Sequence, residues 1–373
     1  MPGKLKLLVQ PGDGVEPIVD AIDRAKSRVE IAIFRFDRWE IEKALANAAA
    51  RGVFVHALIA YTNRGGERNL RKLEMRLLEA GITVARTADD LARYHDKFLI
   101  VDRRELFLLS FNFTHLDIDH SRCFGLVTSN AKLVAEAVRL FEADTKRQAY
   151  VPALATFVVS PVNARKQLAA FLRGAKKQLL IYDPEISDPA MLRLLDARAQ
   201  AGVDIQVIGR VSQADSKLAV RKLCMRLHTR TIIRDGTQAF VGSQSLREME
   251  LGARRELGII FRDKKIVDKL ARLFHDDWDA IERVPQPAAL PQADPTAKVA
   301  KRVAKAIAKD LPPVTPVLRV LVRELAGDTV DMQLDSAVVE ETVKEAVKEA
   351  VRDAVETVVE QNGVQNGASP SHR

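Results

Sequence analysis

Two histidines of this chain begin the same short pattern of residues. In each copy a basic residue follows two positions later and an aspartate seven positions later: His95, Lys97 and Asp102 in the first, and His228, Arg230 and Asp235 in the second. A serine comes fifteen residues after each histidine, and every member of the second copy lies 133 positions after its counterpart. Because only seven histidines are present, this shared register indicates an internal duplication.

These residue types suit chemistry at phosphorus. A neutral imidazole can attack phosphorus, while a second, protonated imidazole gives its proton to the leaving oxygen. Basic, hydroxyl and amide side chains can hold phosphate oxygens as charge builds up. The candidates for that task are Lys97, Arg230, Ser110, Asn112, Ser243 and Ser245. We expect Asp102 and Asp235 to support the site structurally, and we expect neither a metal nor a cofactor.

Alternating strand and helix patterns must position these residues. Buried strands are predicted at 28–34, 53–59, 82–86, 178–182 and 203–208, and helices at 40–51, 70–80, 131–147, 189–200, 217–225 and 263–283. This order predicts an α/β fold of two homologous halves, with mixed, mostly parallel sheets flanked by helices. We expect the halves to pack face to face around one active site. The predicted boundaries are 1–148, 149–283, a Pro-rich linker at 284–297 and a helical tail at 298–373.

The tail contains two amphipathic stretches. Residues 298–309 are basic, and valines recur at a spacing of four across 337–361. The second stretch predicts a helix that is a candidate for self-association, and residues 362–373 are expected to be disordered.

Composition sets broader limits. The chain has 373 residues, a formal net charge of +8 and 47% hydrophobic residues, so wholesale disorder is excluded. Two cysteines cannot staple a fold of this size, which suits a reducing cytoplasm. We find neither a signal peptide nor a membrane span, so action on lipid would occur peripherally at the membrane surface. Trp39, Trp278 and Cys123 are expected in the core.

The paired motifs resemble the HKD motifs of the phospholipase D superfamily, and the resemblance covers about residues 5–283. It implies a phosphohistidine intermediate that is released to water or an alcohol. The favoured substrate is a phospholipid at a membrane surface, and nucleic acid is the alternative. Three residues depart from the family pattern: Arg230 replaces lysine, Ser245 replaces asparagine and Leu109 replaces glycine. Arg230, together with Cys123 at a position where the family has a carboxylate, keeps open a weakened enzyme or a non-catalytic adaptor that binds phosphate or membranes.

The resemblance also implies a carboxylate that orients a histidine. Glu256 lies 28 residues after the second histidine, but Cys123 occupies the matching position after the first. The first half lacks this carboxylate unless Asp117 or Asp119 replaces it.

The motifs also predict different chemical roles for the two histidines. We expect His95 to be the nucleophile, because its motif is fuller, and His228 to be the acid and then the base. Contact of Glu256 with His95 across the halves would favour this assignment, and contact with His228 alone would reverse it.

Overall fold

The computed structural model describes residues 5–61, 67–212 and 218–283. The first half contains β1 (Leu5–Gln10), α1 (Glu16–Asp23), β2 (Arg28–Ile33), α2 (Trp39–Ala50), β3 (Phe54–Ile59), α3 (Glu67–Glu79), β4 (Thr83–Arg86), β5 (Arg93–Tyr94), β6 (Phe98–Val101), β7 (Glu105–Leu109), α4 (His115–His120), β8 (Ser121–Thr128) and α5 (Ala131–Thr145). The second contains β9 (Phe157–Ser160), α6 (Ala164–Arg173), β10 (Gln178–Ile186), α7 (Pro189–Gln200), β11 (Asp204–Val211), β12 (Ala219–Arg221), β13 (Arg226–Leu227), β14 (Arg230–Arg234), β15 (Gln238–Gly242), α8 (Glu248–Gly252), β16 (Arg254–Phe261) and α9 (Lys264–Arg283).

Within these ranges the strands form two eight-stranded sheets. The first follows the order β1-β8-β7-β6-β2-β3-β4, and its eighth strand, β13, pairs with β8. The second follows β12-β11-β10-β14-β15-β16-β5, and its eighth strand, β9, pairs with β16. The predicted mixed α/β fold with two repeated halves is confirmed. The expectation of mostly parallel sheets is wrong, because parallel pairing within each half is limited to β2-β3-β4 and β10-β11-β12. The strands that carry the motifs form antiparallel hairpins, since short turns join them.

Two local predictions also need correction. The helix expected at 217–225 is absent from residues 218–225, where the chain instead forms β12. Trp39 is 60% exposed rather than part of the core, since it lies at the first turn of α2. Cys123 is fully buried as expected, and Trp278 packs against the core while partly exposed. The predicted linker and tail, 284–373, lie outside the described residues.

A shared hydrophobic cluster joins the two halves. It combines Phe98 and Phe124 of the first sheet with Tyr182 and Leu257 of the second, all nearly fully buried. The rings of Phe124 and Tyr182 are 5.5 Å apart in an edge-on contact. The sheets therefore face each other, and burial of this apolar surface holds the halves together.

Two short strands cross from one half to the other. β5 pairs with the start of β16, and β13 pairs with the start of β8, both in parallel register. These crossings immediately precede the two motif histidines: His95 N–H donates to the Arg255 carbonyl at 2.8 Å, and His228 N–H donates to the Arg122 carbonyl at 3.1 Å. Each histidine is thereby fixed against the sheet of the opposite half. Among the described helices, none is long and apolar enough to cross a bilayer.

Candidate active site

His95 lies against a carboxylate of the second half. Its Nδ1 is 2.9 Å from both Oε1 and Oε2 of Glu256, which is fully buried. The ring of Phe34 packs edge-on at 4.4 Å. Burial, followed by the charges of Lys97 and Arg230, lowers the pKa of His95 well below its ordinary value. A neutral His95 that donates from Nδ1 keeps its lone pair on Nε2, which is the nucleophilic form.

His228 faces a carboxylate of the first half. Its Nδ1 lies 3.4 Å from Oδ2 of Asp117, close enough for attraction but without hydrogen-bond geometry. Arg226 donates to Oδ1 of Asp117 at 2.5 Å. Burial alone would raise the pKa of Asp117, but His228, the Asn112 amide and Arg226 outweigh it and lower the pKa. Asp117 is therefore an anion beside the second histidine.

The two carboxylates do not correspond to each other in the repeat. Glu256 sits on β16 opposite His95, and Cys123 occupies the equivalent position on β8. Asp117 instead comes from α4, five residues after Asn112, whose backbone N–H and Nδ2 it accepts at 2.7 and 2.6 Å. Its counterpart in the repeat is Glu250, which accepts the Ser245 N–H at 2.7 Å. The structure thus places Asp117, rather than Asp119, at the second histidine.

Lys97 is fully buried directly beneath His95. Its Nζ donates to the His95 carbonyl and lies 2.9 Å from Nδ1. Because Nδ1–H is directed at Glu256, the carbonyl is the acceptor that the ammonium can use. Burial lowers the pKa of Lys97 to about 7, although Glu256 opposes this shift. Lys97 is consequently near the midpoint of its titration at neutral pH.

Arg230 occupies the position equivalent to Lys97. Its Nη1 donates to the His228 carbonyl at 2.7 Å and its Nε donates to Ser245 Oγ at 3.1 Å. Burial and Arg230 lower the pKa of His228 well below its ordinary value, and Lys97 contributes in the same direction. Since each base affects both histidines, the two motifs share one electrostatic environment.

Three of the side chains predicted to bind phosphate form hydrogen bonds within the protein. Ser110 Oγ accepts the Phe124 N–H and Ser243 Oγ accepts the Leu257 N–H, each at 3.1 Å. Asn112 directs its amide nitrogen at Asp117 and keeps a buried, unpartnered Oδ1. The serines thus fix the loops after β7 and β15 to the neighbouring strands.

Asp102 and Asp235 lie at the far end of the motif strands from the basic residues. Asp102 accepts the backbone N–H groups of residues 26–28, and Asp235 accepts those of residues 176–178. Both have positive φ, 52° and 53°, in the hairpin turns. They anchor β2 and β10, and this geometry gives them no direct contact with the histidines.

Known proteins share this architecture. Polyphosphate kinase from Porphyromonas gingivalis superposes with a TM-score of 0.62 at 19% identity, over 74% of this chain and 50% of that one. Phosphatidylserine synthase from Haemophilus influenzae Rd KW20 gives 0.56 at 11% identity, over 75% and 86%. These likenesses concern the fold. Residues 18–145 also match the family model described as "Cardiolipin synthase, PLD-like domain". This match assigns residues 18–145 to a phospholipase D-like domain family.

Two curated relatives of this phospholipase D-like chain are polyphosphate kinases. The one from Chlorobaculum tepidum is 26% identical over 225 residues, which is 55% of this chain and 32% of that protein. The one from Staphylococcus haemolyticus is 24% identical over 218 residues, or 53% and 30%. The chain therefore spans about a third of the length of these relatives.

Sequence reasoning missed two residues of the phospholipase D-like site. The candidates named from the sequence do not include Arg226, which lies two positions before His228. Its counterpart Arg93 lies two positions before His95. Phe34 was assigned only to a strand. The 133-residue offset could have drawn attention to Arg226. Across residues 5–61, 67–212 and 218–283, no group of three or more metal-ligating side chains is placed to hold a metal.

Proposed function

We propose that the chain transfers a phosphate-containing group through a covalent phosphohistidine on His95. The observation that carries this proposal is the crossed pairing of two buried histidines with carboxylates of the opposite halves. Glu256 favours the tautomer with a free Nε2, and Asp117 stabilises the imidazolium form of His228. Lys97 and Arg230 supply positive charge on either side.

The proposed reaction has two displacements. Nε2 of His95 bonds to phosphorus as the bond from phosphorus to the leaving oxygen breaks, and His228 gives that oxygen its proton. His228 then takes a proton from water or an alcohol, whose oxygen attacks phosphorus and releases His95. In the free protein His228 is held neutral, so the anionic substrate must raise its pKa before it can act as the acid. No metal takes part in these steps.

A phospholipid is the first candidate substrate. The matching family model is named for cardiolipin synthase, and the fold is shared with a phosphatidylserine synthase. A condensed phosphate is the second candidate, because both curated relatives are polyphosphate kinases.

The test compares wild type with His95→Ala on phosphatidylglycerol vesicles, linear polyphosphate, single-stranded DNA and bis(p-nitrophenyl) phosphate, with and without EDTA. We expect His95-dependent, EDTA-resistant turnover of the generic diester and of one natural class, and an acid-labile phosphate adduct that maps to His95. Binding without turnover of any substrate would favour an adaptor. An adduct found only on His228 would reverse the two roles.

A further inference from the structure

A groove of about 280 Å³ lies beside the second histidine motif. One wall is the segment that leads into β13, with Lys222, Cys224 and Arg226, and the other is formed by Gly209 and Arg210 at the end of β11. We call this feature the basic groove. Arg226 precedes His228 by two residues, a separation of about 7 Å along a strand. Arg226 also contacts Asp117, the carboxylate that faces His228, so this residue links the basic groove to the second histidine.

Its charge is of one sign. Three of the lining residues are basic, and none is acidic. Arg210 approaches Glu185 only at 3.6 Å, and its side chain is 68% exposed. Arg226 uses Nη1 for Asp117 and Ser121, while a guanidinium has further donors on Nε and Nη2. This set of donors suits phosphate oxygens.

The neighbouring strand β10 dictates the residue type at Gly209, on the wall of the basic groove that β11 forms. Gly209 has φ +147°, and a Cβ there would lie 1.7 Å from the Asp183 carbonyl oxygen. Only glycine fits at this point, because a backbone atom cannot move aside as a side-chain end can. The close contact of Gly209 with β10 therefore fixes the position of this wall.

We propose that the basic groove binds a second phosphate group of the substrate, next to the one that reacts. The inference rests on the proposed function for its place in the reaction, but binding can be measured without turnover. It restricts the ligand to an array of two or more phosphates, which is either the linked phosphates of a condensed phosphate or adjacent head groups on the surface of an anionic membrane.

Cys224 provides the readout. It is exposed in the basic groove, whereas Cys123, the other cysteine of the chain, is buried, so N-ethylmaleimide should modify Cys224 selectively. We expect inorganic pyrophosphate, at ionic strength matched with NaCl, to slow the labelling about tenfold at ten times its Kd. Lys222→Glu should abolish this protection and Lys222→Arg should keep it. Lys264→Glu, an exposed change on α9, is the control for net charge.

His95→Ala separates the two proposals. Protection that persists in this variant supports the basic groove even if the wild type shows no turnover, in which case the proposed function alone fails. Absence of protection in wild type, or equal protection in Lys222→Glu, overturns the inference while leaving the histidine chemistry intact. Protection by linear polyphosphate or by phosphatidylglycerol vesicles, compared with phosphatidylcholine vesicles, identifies the source of the phosphate.

Discussion

Nδ1 of His95 lies 2.9 Å from both carboxylate oxygens of Glu256, although 161 residues separate the two in the chain. The contact exists because β5 leaves its own half and pairs with β16, which sets the two side chains opposite each other. Burial raises the pKa of Glu256, and Lys97 and Arg230 oppose this shift. Glu256 is thus positioned to fix the tautomer of the proposed nucleophile.

Glu256→Gln should reduce kcat/KM about 10²–10⁴-fold, since an amide can present its NH₂ group to Nδ1 and favour the wrong tautomer. The measurement is steady-state turnover of bis(p-nitrophenyl) phosphate together with trapping of the phosphoenzyme. Glu248→Gln changes an exposed carboxylate on α8 and should have little effect. Near-normal turnover in a folded Glu256→Gln protein would remove Glu256 from the mechanism.

Asp117→Asn should slow breakdown of the phosphoenzyme more than its formation when the leaving group is activated. The reason is that a good leaving group needs little proton donation, whereas attack by water still needs His228 as a base. Rapid quenching in denaturant at mildly alkaline pH, which preserves the acid-labile bond between phosphorus and nitrogen, should therefore show a burst followed by accumulated adduct. Asp119→Asn is the matched control, because Asp119 contacts Arg38 and His115 instead. Equal effects of the two substitutions would count against a role for Asp117.

Lys97 should produce a descending limb in the pH profile. Its pKa is lowered to about 7, and the proposed role requires the ammonium form, so kcat/KM should fall as pH rises through this value. A bound phosphate favours the charged form, so the limb in kcat should lie at higher pH. Lys97→Arg keeps its charge throughout this range and should lose the limb. A profile unchanged by Lys97→Arg would assign the limb to another group.

Asp102 should affect stability rather than catalysis. Burial by itself would raise the pKa of Asp102. The N–H groups of residues 26–28 and the Ser27 hydroxyl outweigh this effect and lower the pKa to about 2. The stabilisation is therefore complete above the ordinary pKa and is lost as pH falls through about 2. Asp102→Ala should lower the free energy of unfolding at neutral pH by about 1–3 kcal/mol.

Urea unfolding at several pH values tests this expectation for Asp102. The difference between wild type and Asp102→Ala should narrow below about pH 4. Asp102→Asn tolerates the positive φ but lacks the charge, so it should lose less stability than alanine. A large loss of turnover in folded Asp102→Ala would instead place this aspartate in the site.

The sequence by itself determined the duplication and most of the elements. The 133-residue offset identified equivalent residues in both halves, and α7 was predicted with its observed bounds. The structure shows that Asp188 caps this helix and that Pro189 begins it. Periodicity failed at residues 218–225, where pairing with β11 imposes a strand on a short amphipathic stretch. Such pairing depends on the neighbour across the sheet, which a local pattern does not contain.

Only the tertiary structure decided which carboxylate meets which histidine. The sequence left Glu256 free to reach either one, and it offered both Asp117 and Asp119 for the first half. The crossings of β5 and β13 resolve the choice, because two-residue strands have no periodicity to recognise and acquire their register from the opposite sheet. The site is therefore built from contacts between residues more than a hundred positions apart. Spacing along the chain can suggest which residues take part, but only the packing of the two halves determines which of them are in contact.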